Sequence, residues 1–183
     1  MTPGLAMFYG GLVRKKNVVN TMMTSIFIIG IGIVMWVLFG YSLSFAPSGN
    51  AFIGDFRWLG LEGVSLTEGY TDDASIPNMV FSAFQMMFAV ITPALITGAV
   101  AGRMKFKSIF VFTIFWSLIV YYPLAHMVWG QGGLLGADGI GALDFAGGDV
   151  VHISSGVSAL VLCILLGKRH DYEHSIYRIH NIP

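Results

Sequence analysis

Within the stretch 20–46, residues 21–46 read TMMTSIFIIGIGIVMWVLFGYSLSFA, an apolar run without a single Lys, Arg, Asp or Glu. A helix needs about 20 such residues to cross the hydrocarbon core of a bilayer, and this run exceeds that length. Three further stretches qualify: 77–101, 108–129 (SIFVFTIFWSLIVYYPLAHMVW) and 149–167. Their Gly and Ser content suits packing in lipid, where small residues let helices approach closely. Ala94, Gly98 and Gly102 form such a stripe at four-residue spacing. Pro93 interrupts the second of these stretches, and a kink is expected there.

The composition points to the same solvent. Of 183 residues, 55% are hydrophobic and only 11% charged, with a mean hydropathy of +0.73. Soluble domains carry roughly 25% charged residues, so a water-facing surface of this size is excluded. That removes an ordinary cytosolic enzyme, a disordered segment and a nucleic-acid binder. Ten basic residues cancel ten acidic ones, leaving no overall field to draw phosphate. The single Cys163 excludes an internal disulfide and a multi-cysteine metal site. No cofactor is called for. The fold class expected is all-α, a polytopic membrane helix bundle.

Residues 4–13 (GLAMFYGGLV) are apolar but too few to span, and Arg14, Lys15 and Lys16 follow them. A signal peptide would carry its charges before the apolar run. The stretch reads as the inner end of a span whose start is missing, giving five spans with the first truncated.

Charge asymmetry orients the bundle. The segments 14–17, 102–107 and 168–183 hold Arg14, Lys15, Lys16, Arg103, Lys105, Lys107, Lys168, Arg169 and Arg178, nine of the ten basic residues. The alternate connections, 47–76 and 130–148, hold only Arg57, together with Asp55, Glu62, Glu68, Asp72, Asp73, Asp138 and Asp144; Asp149 opens the next span. By the positive-inside rule the N-terminal end lies outside and the 168–183 tail is cytoplasmic. The 47–76 connection reads as a long outer loop with short strands or turns. The glycine-rich 130–149 segment, GQGGLLGADGIGALDFAGGD, has Leu135 where a dinucleotide fingerprint requires glycine and lacks a phosphate-loop lysine.

Several residues in or near the spans call for explanation. His152, three residues into the last span, is either bonded to a neighbouring helix or lines a substrate path, where a neutral imidazole both donates and accepts a hydrogen bond. His126, near the outer end of its span, suits the headgroup level. Trp129, at i+3 from it, is either a belt anchor or a ring face for a cation at the mouth, worth about 0.5–2 kcal/mol. Phe84 and Phe88 share one helix face, with Phe81 in the same turn, and serve as packing or as a gate. Asp144 can cap the last helix or attract cations, the structural role being the simpler. An enzyme reading is weakest: His152, Ser154 and Ser155 are close in sequence, but Ser154 at i+2 points elsewhere and no paired base or oxyanion glycine is near.

Taken together, these residues resemble the ammonium transporter family (Amt/Mep, related to the Rh proteins). The matching strings are MTPGLAMFYGGLVRKKNVVNTMM, WVLFGYSLSF, FQMMFAVITPALITGAVAGRMKF, HMVWGQGGLL, LDFAGGDVVHISSGVSALV and the terminal GKRHDYEHSIYRIHNIP. They span essentially the whole chain, with 47–76 weakest and DFAGG-x-VVHI most specific.

The resemblance implies that Trp129 and Phe84 line an outer site recruiting ammonium, with Asp144 supporting it. It further implies that Phe88 is half of a paired-Phe gate and that His152 is the first of two pore histidines. Nitrogen then crosses largely as ammonia through a hydrophobic pore, methylammonium being a further candidate substrate. The implied partners are membrane lipid, a homotrimer of the full-length parent and a PII-type regulator on the cytoplasmic face. Family members have about eleven spans in two five-span halves of inverted topology. The chain is therefore expected to be an internal fragment, the first half, which does not conduct alone. Two other readings stand beside transport: an ammonium sensor or transceptor, and a structural half-subunit that pairs with a second chain.

Overall fold

The computed structural model describes residues 1–47, 50–137, 139–169, 172–173 and 178–181. Asp138 and much of the 168–183 tail lie outside the described residues. Every apolar stretch is a helix, and no strand is found among the described residues. A short helix α1 (Thr2–Leu12) is followed by α2 (Lys15–Phe45), α3 (Asn78–Val100), α4 (Phe106–Trp129) and α5 (Gly148–Leu166). The last four are long and apolar enough to cross a membrane. In lipid no water is available to unpaired backbone amides, so an apolar chain closes its hydrogen bonds within helices.

Three of these helices contain a wider π turn: Trp36–Gly40 in α2, Ser117–Tyr121 in α4 and Gly148–Ile153 at the start of α5. Such turns rotate every later side chain around the helix axis and recur at functional positions. α3 runs as one helix through Pro93. The ring leaves the Ala89 carbonyl without its amide partner, and one residue earlier Thr92 Oγ1 donates to the Phe88 carbonyl at 2.5 Å.

α2 packs along α1 and α3, α3 along α5, and the Tyr41–Phe45 end of α2 along the Tyr122–Trp129 end of α4. The small-residue stripe is used only in part. Ala94 is fully buried, and Gly98 lies under the Tyr9 ring, where a Cβ would come within 2.6 Å of Tyr9 Cζ. The Tyr9 hydroxyl then donates to the Leu95 carbonyl at 2.9 Å. Gly102 lies beyond the end of α3, in a turn with φ +71 where a Cβ would stand 3.5 Å from Asn17 Nδ2 at the start of α2.

Towards the end where α2 and α4 finish, the core is aromatic. Trp36, Tyr41, Phe45, Tyr121 and Tyr122 are all fully buried. Buried polar tips are satisfied across helices: Trp36 Nε1 donates to the Ser82 carbonyl (3.1 Å), Trp116 Nε1 to Ser158 Oγ (2.8 Å), and the Tyr41 hydroxyl to Asn78 Oδ1.

His126 is sealed inside the protein and does not face lipid. It is 0% exposed, with Nδ1 3.1 Å from the Ser44 carbonyl and Nε2 2.8 Å from the Asn50 carbonyl. The ring thus sits between the C-terminal end of α2 and the start of the 47–76 connection, next to the C-terminal end of α4. The outer loop forms a 3-10 turn at Leu59–Leu61 and an isolated bridge between Gly69 and Pro77, without the short strands expected as one possibility. At the opposite end, Arg103 donates to the carbonyls of Ala99 (2.8 Å) and Gly167 (3.0 Å), joining the ends of α3 and α5. Cations suit such helix C-termini, where carbonyls lack amide partners.

Candidate functional site

The site begins with one face of α3. Phe81, Phe84, Gln85 and Phe88 recur at i, i+3, i+4 and i+7, the spacing that aligns side chains along a helix. Phe84 meets Phe88 edge-to-face, ring centroids 5.1 Å apart, and Phe88 meets Trp129 from the last turn of α4 at 6.1 Å. Phe84 remains 54% exposed, so its ring is not a packed core residue. Tyr70 of the outer loop stacks on Phe81 at 4.8 Å, and its hydroxyl accepts the Gln131 amide N–H at 3.1 Å.

The fourth wall is the glycine-rich segment before α5. The Asp144 carboxylate accepts four backbone N–H bonds: Gly147 and Gly148 on Oδ1 (2.7 Å each), Asp149 (2.9 Å) and Val150 (3.0 Å) on Oδ2. A helix start leaves these amides without partners, and a negative charge there also suits the helix dipole. Gly147 has φ +83, and a Cβ on it would meet Val151 Cγ2 at 2.7 Å, so only glycine fits between cap and helix. The Asp144 carbonyl accepts the indole N–H of Trp129 at 3.0 Å. One residue therefore caps α5 through its side chain and orients the tryptophan through its backbone.

Together these elements line an open cavity of about 480 Å³ walled by Phe84, Gln85, Phe88, Trp129 and Asp144, with Tyr70 on the side of the 47–76 connection. Aromatic faces carry negative quadrupole charge, so such a cavity suits a small cation that has shed part of its water. Four of the five residues singled out by sequence meet here. The fifth, His152, does not: it is exposed on the first turns of α5, with its amide N–H on the Gly147 carbonyl at 2.9 Å. Among the described residues its ring has no hydrogen-bond partner. Gln85 and Tyr70 were passed over in the sequence. Gln85 carried a signal, being an uncharged polar side chain four residues after Phe81 on the same face. Tyr70 carried none, because the loop that delivers it has no periodicity.

The fold defines a multi-pass helical membrane protein, and the cavity at one end of its helices is walled by aromatic rings. Over residues 1–183 the sequence matches the model of the Ammonium Transporter Family, and the chain belongs to that family. An ammonium transporter of Bacillus subtilis is 56% identical over 171 residues, covering 93% of this chain and 41% of that protein. One of Mycobacterium tuberculosis is 43% identical, covering all of this chain and 43% of its own length. The crystal structure of Candida albicans Mep2 superposes with a TM-score of 0.82 at 34% identity, covering 98% of this chain and 40% of that one. The chain thus spans about two-fifths of the length of these relatives.

Proposed function

We propose that the protein carrying this chain transports ammonium across a membrane, recruiting the ion at the aromatic cavity and passing its nitrogen largely as ammonia. The observation that carries this reading is the convergence of Phe84, Phe88 and Trp129 on one cavity beside the Asp144 cap. Ammonium resembles potassium in size and charge, so selection has to use its N–H donors and its acidity. Aromatic faces partly replace lost water around the cation, and an apolar path below then penalises any bare ion.

In this reading Trp129 and Phe84 hold the ion, and Asp144 serves by fixing Trp129 and the start of α5. Phe88 gates the path, and His152 lines it with a neutral imidazole that hydrogen-bonds ammonia. Basic residues at the α1–α2 and α3–α4 connections and in the tail put those segments on the cytoplasmic side and the N-terminal end outside. A homotrimer and a PII-type cytoplasmic regulator are the assembly and partner that go with this reading. The curated relatives carry the name transporter, which favours transport over a sensing role.

The test is uptake of ammonium and methylammonium by the whole protein in cells without ammonium transporters of their own. Trp129→Leu raises the KM for ammonium, and His152→Ala lowers flux or admits potassium, with both variants reaching the membrane. Unchanged uptake and unchanged potassium exclusion in both variants would overturn the site assignment.

A further inference from the structure

The helix that carries His152 is held along one face, and that face is made of small side chains. On α5, Ser154 and Ser155 are buried and Ser158 is half-buried, whereas His152, Ile153 and Val157 are exposed. Small residues let α5 lie close along α3. They also offer shallow ridges to interlock with, so packing alone fixes the rotation of α5 about its axis only loosely. A hydrogen bond adds what the packing lacks. The Trp116 indole N–H of α4 donates to Ser158 Oγ at 2.8 Å. The Ser158 hydroxyl in turn donates to the Ser154 carbonyl one turn back at 2.7 Å, so its proton is committed and its oxygen is left to accept from the indole. The indole is itself firmly seated: Trp116 is 5% exposed, and its ring lies 6.3 Å from that of the fully buried Tyr121. Among the described residues, the other hydrogen bonds from a side chain of α5 to another helix or its end are those of Cys163, with Arg103 and the Ala99 carbonyl, towards the far end of α5.

We propose that Trp116 is a positioning residue for His152: by holding Ser158 it fixes the rotation of α5, and with it the direction from which the imidazole meets ammonia. The proposal rests on the transport reading above and deepens it. Ser158 lies less than two turns along α5 from His152, so a roll of the helix at the serine is passed on to the imidazole. The imidazole has no hydrogen-bond partner of its own among the described residues, so its place follows from that of the helix. A group that binds a small substrate has to be held within about 0.5 Å and about 10–20° of its working position. Neither Trp116 nor Ser158 lines the aromatic cavity. The clamp therefore acts on passage of the nitrogen past His152 and leaves recruitment of the ion alone.

The experiment is ammonium uptake kinetics of the whole protein with Ser158→Ala, Trp116→Phe, the two together, His152→Ala, and His152→Ala combined with Ser158→Ala, at matched amounts in the membrane. Ser158→Ala removes the acceptor at the cost of one atom. Loss of one hydrogen bond lowers the population of the clamped orientation, and with it the maximal rate, by about 5-fold, while KM stays within about twofold. Trp116→Phe does the same, and the double variant is no slower than the slower single one, because both remove one bond. In the His152→Ala background Ser158→Ala lowers the remaining flux no further. A maximal rate for Ser158→Ala within about twofold of the original overturns the proposal. So does an equal loss with and without His152, since the serine would then act on the fold and not through the imidazole. Where the His152→Ala background carries too little flux to compare, KM decides: a rise beyond about twofold in Ser158→Ala overturns the proposal, because recruitment would be disturbed as well. If Trp116→Phe fails to reach the membrane, Ser158→Ala decides alone. Unchanged uptake by His152→Ala removes the pore role on which the proposal rests, and no uptake by the unsubstituted protein removes the transport reading itself.

Discussion

Replacing Asp144 by alanine removes the acceptor for four backbone amides at once. Each hydrogen bond to a charged group is worth about 1.5–3 kcal/mol when well buried. Here the carboxylate is half-buried and Gly148 is exposed, so water takes over part of what is lost. Loss of an ordinary N-cap costs about 0.5–2 kcal/mol, and a carboxylate closing both turns of a helix start exceeds that. A loss of about 3 kcal/mol is therefore expected. In a cooperative unit of about 150–250 residues such a loss lowers Tm by about 6–12 °C. Asp144→Asn recovers part of the loss, since its Oδ1 still accepts two of the amides while its NH2 faces the other two. The assay is thermal unfolding of the purified protein in detergent, followed by tryptophan fluorescence, because Trp129 hangs from the Asp144 carbonyl and reports on the same corner. A Tm for Asp144→Ala within about 1 °C of the original would refute the capping account.

Other consequences follow from the packing. His126→Ala removes a fully buried ring held between the Ser44 and Asn50 carbonyls; it should cost about 2–4 kcal/mol in the same melting assay while leaving the KM for ammonium unchanged in the molecules that fold. Gly98→Ala drives a methyl group into the Tyr9 ring and should destabilise by about 1–3 kcal/mol, with Tyr9→Ala in the same chain recovering part of the loss. Arg103→Met frees the Ala99 and Gly167 carbonyls, so protease sensitivity near residue 167 should rise while the outer cavity is untouched. Burial pushes the Tyr70 hydroxyl up to about 12 from its usual 10.0, although the Gln131 amide bonded to its oxygen pulls the other way. Its contribution is therefore complete below pH 10 and is lost as pH rises towards 12, so Tyr70→Phe should flatten the alkaline limb of the stability curve.

The helices were legible because each one is a long uninterrupted apolar run, and lipid leaves such a run a single backbone solution. The run from Thr21 to Ala46 needed no neighbour to be read correctly. Side-chain environments were less legible, because they depend on which helix comes alongside. His126 and Trp129 are three residues apart in one string, yet one ring is sealed between two carbonyls and the other lines a cavity. Only the return of the outer loop and of the 144–147 segment separates them. The π turns left no mark in the sequence, although they set where His152 points. Gly102 read as part of a helix stripe because spacing is visible in a sequence and the end of a helix is less so. Gln85 was hidden by its neighbours, a polar member in a face of phenylalanines.

The bond from Trp129 to the Asp144 carbonyl has an entropic consequence. An indole free to turn about its two side-chain torsions would have to be stilled whenever an ion arrived, at about 0.5–1.5 kcal/mol for a mobile side chain. Pinned at its nitrogen edge by Asp144, with its ring against Phe88, the tryptophan is ordered when the chain folds. On the transport reading its ring needs no reordering when an ion arrives, and the cavity is then as ready for the first ion as for the last.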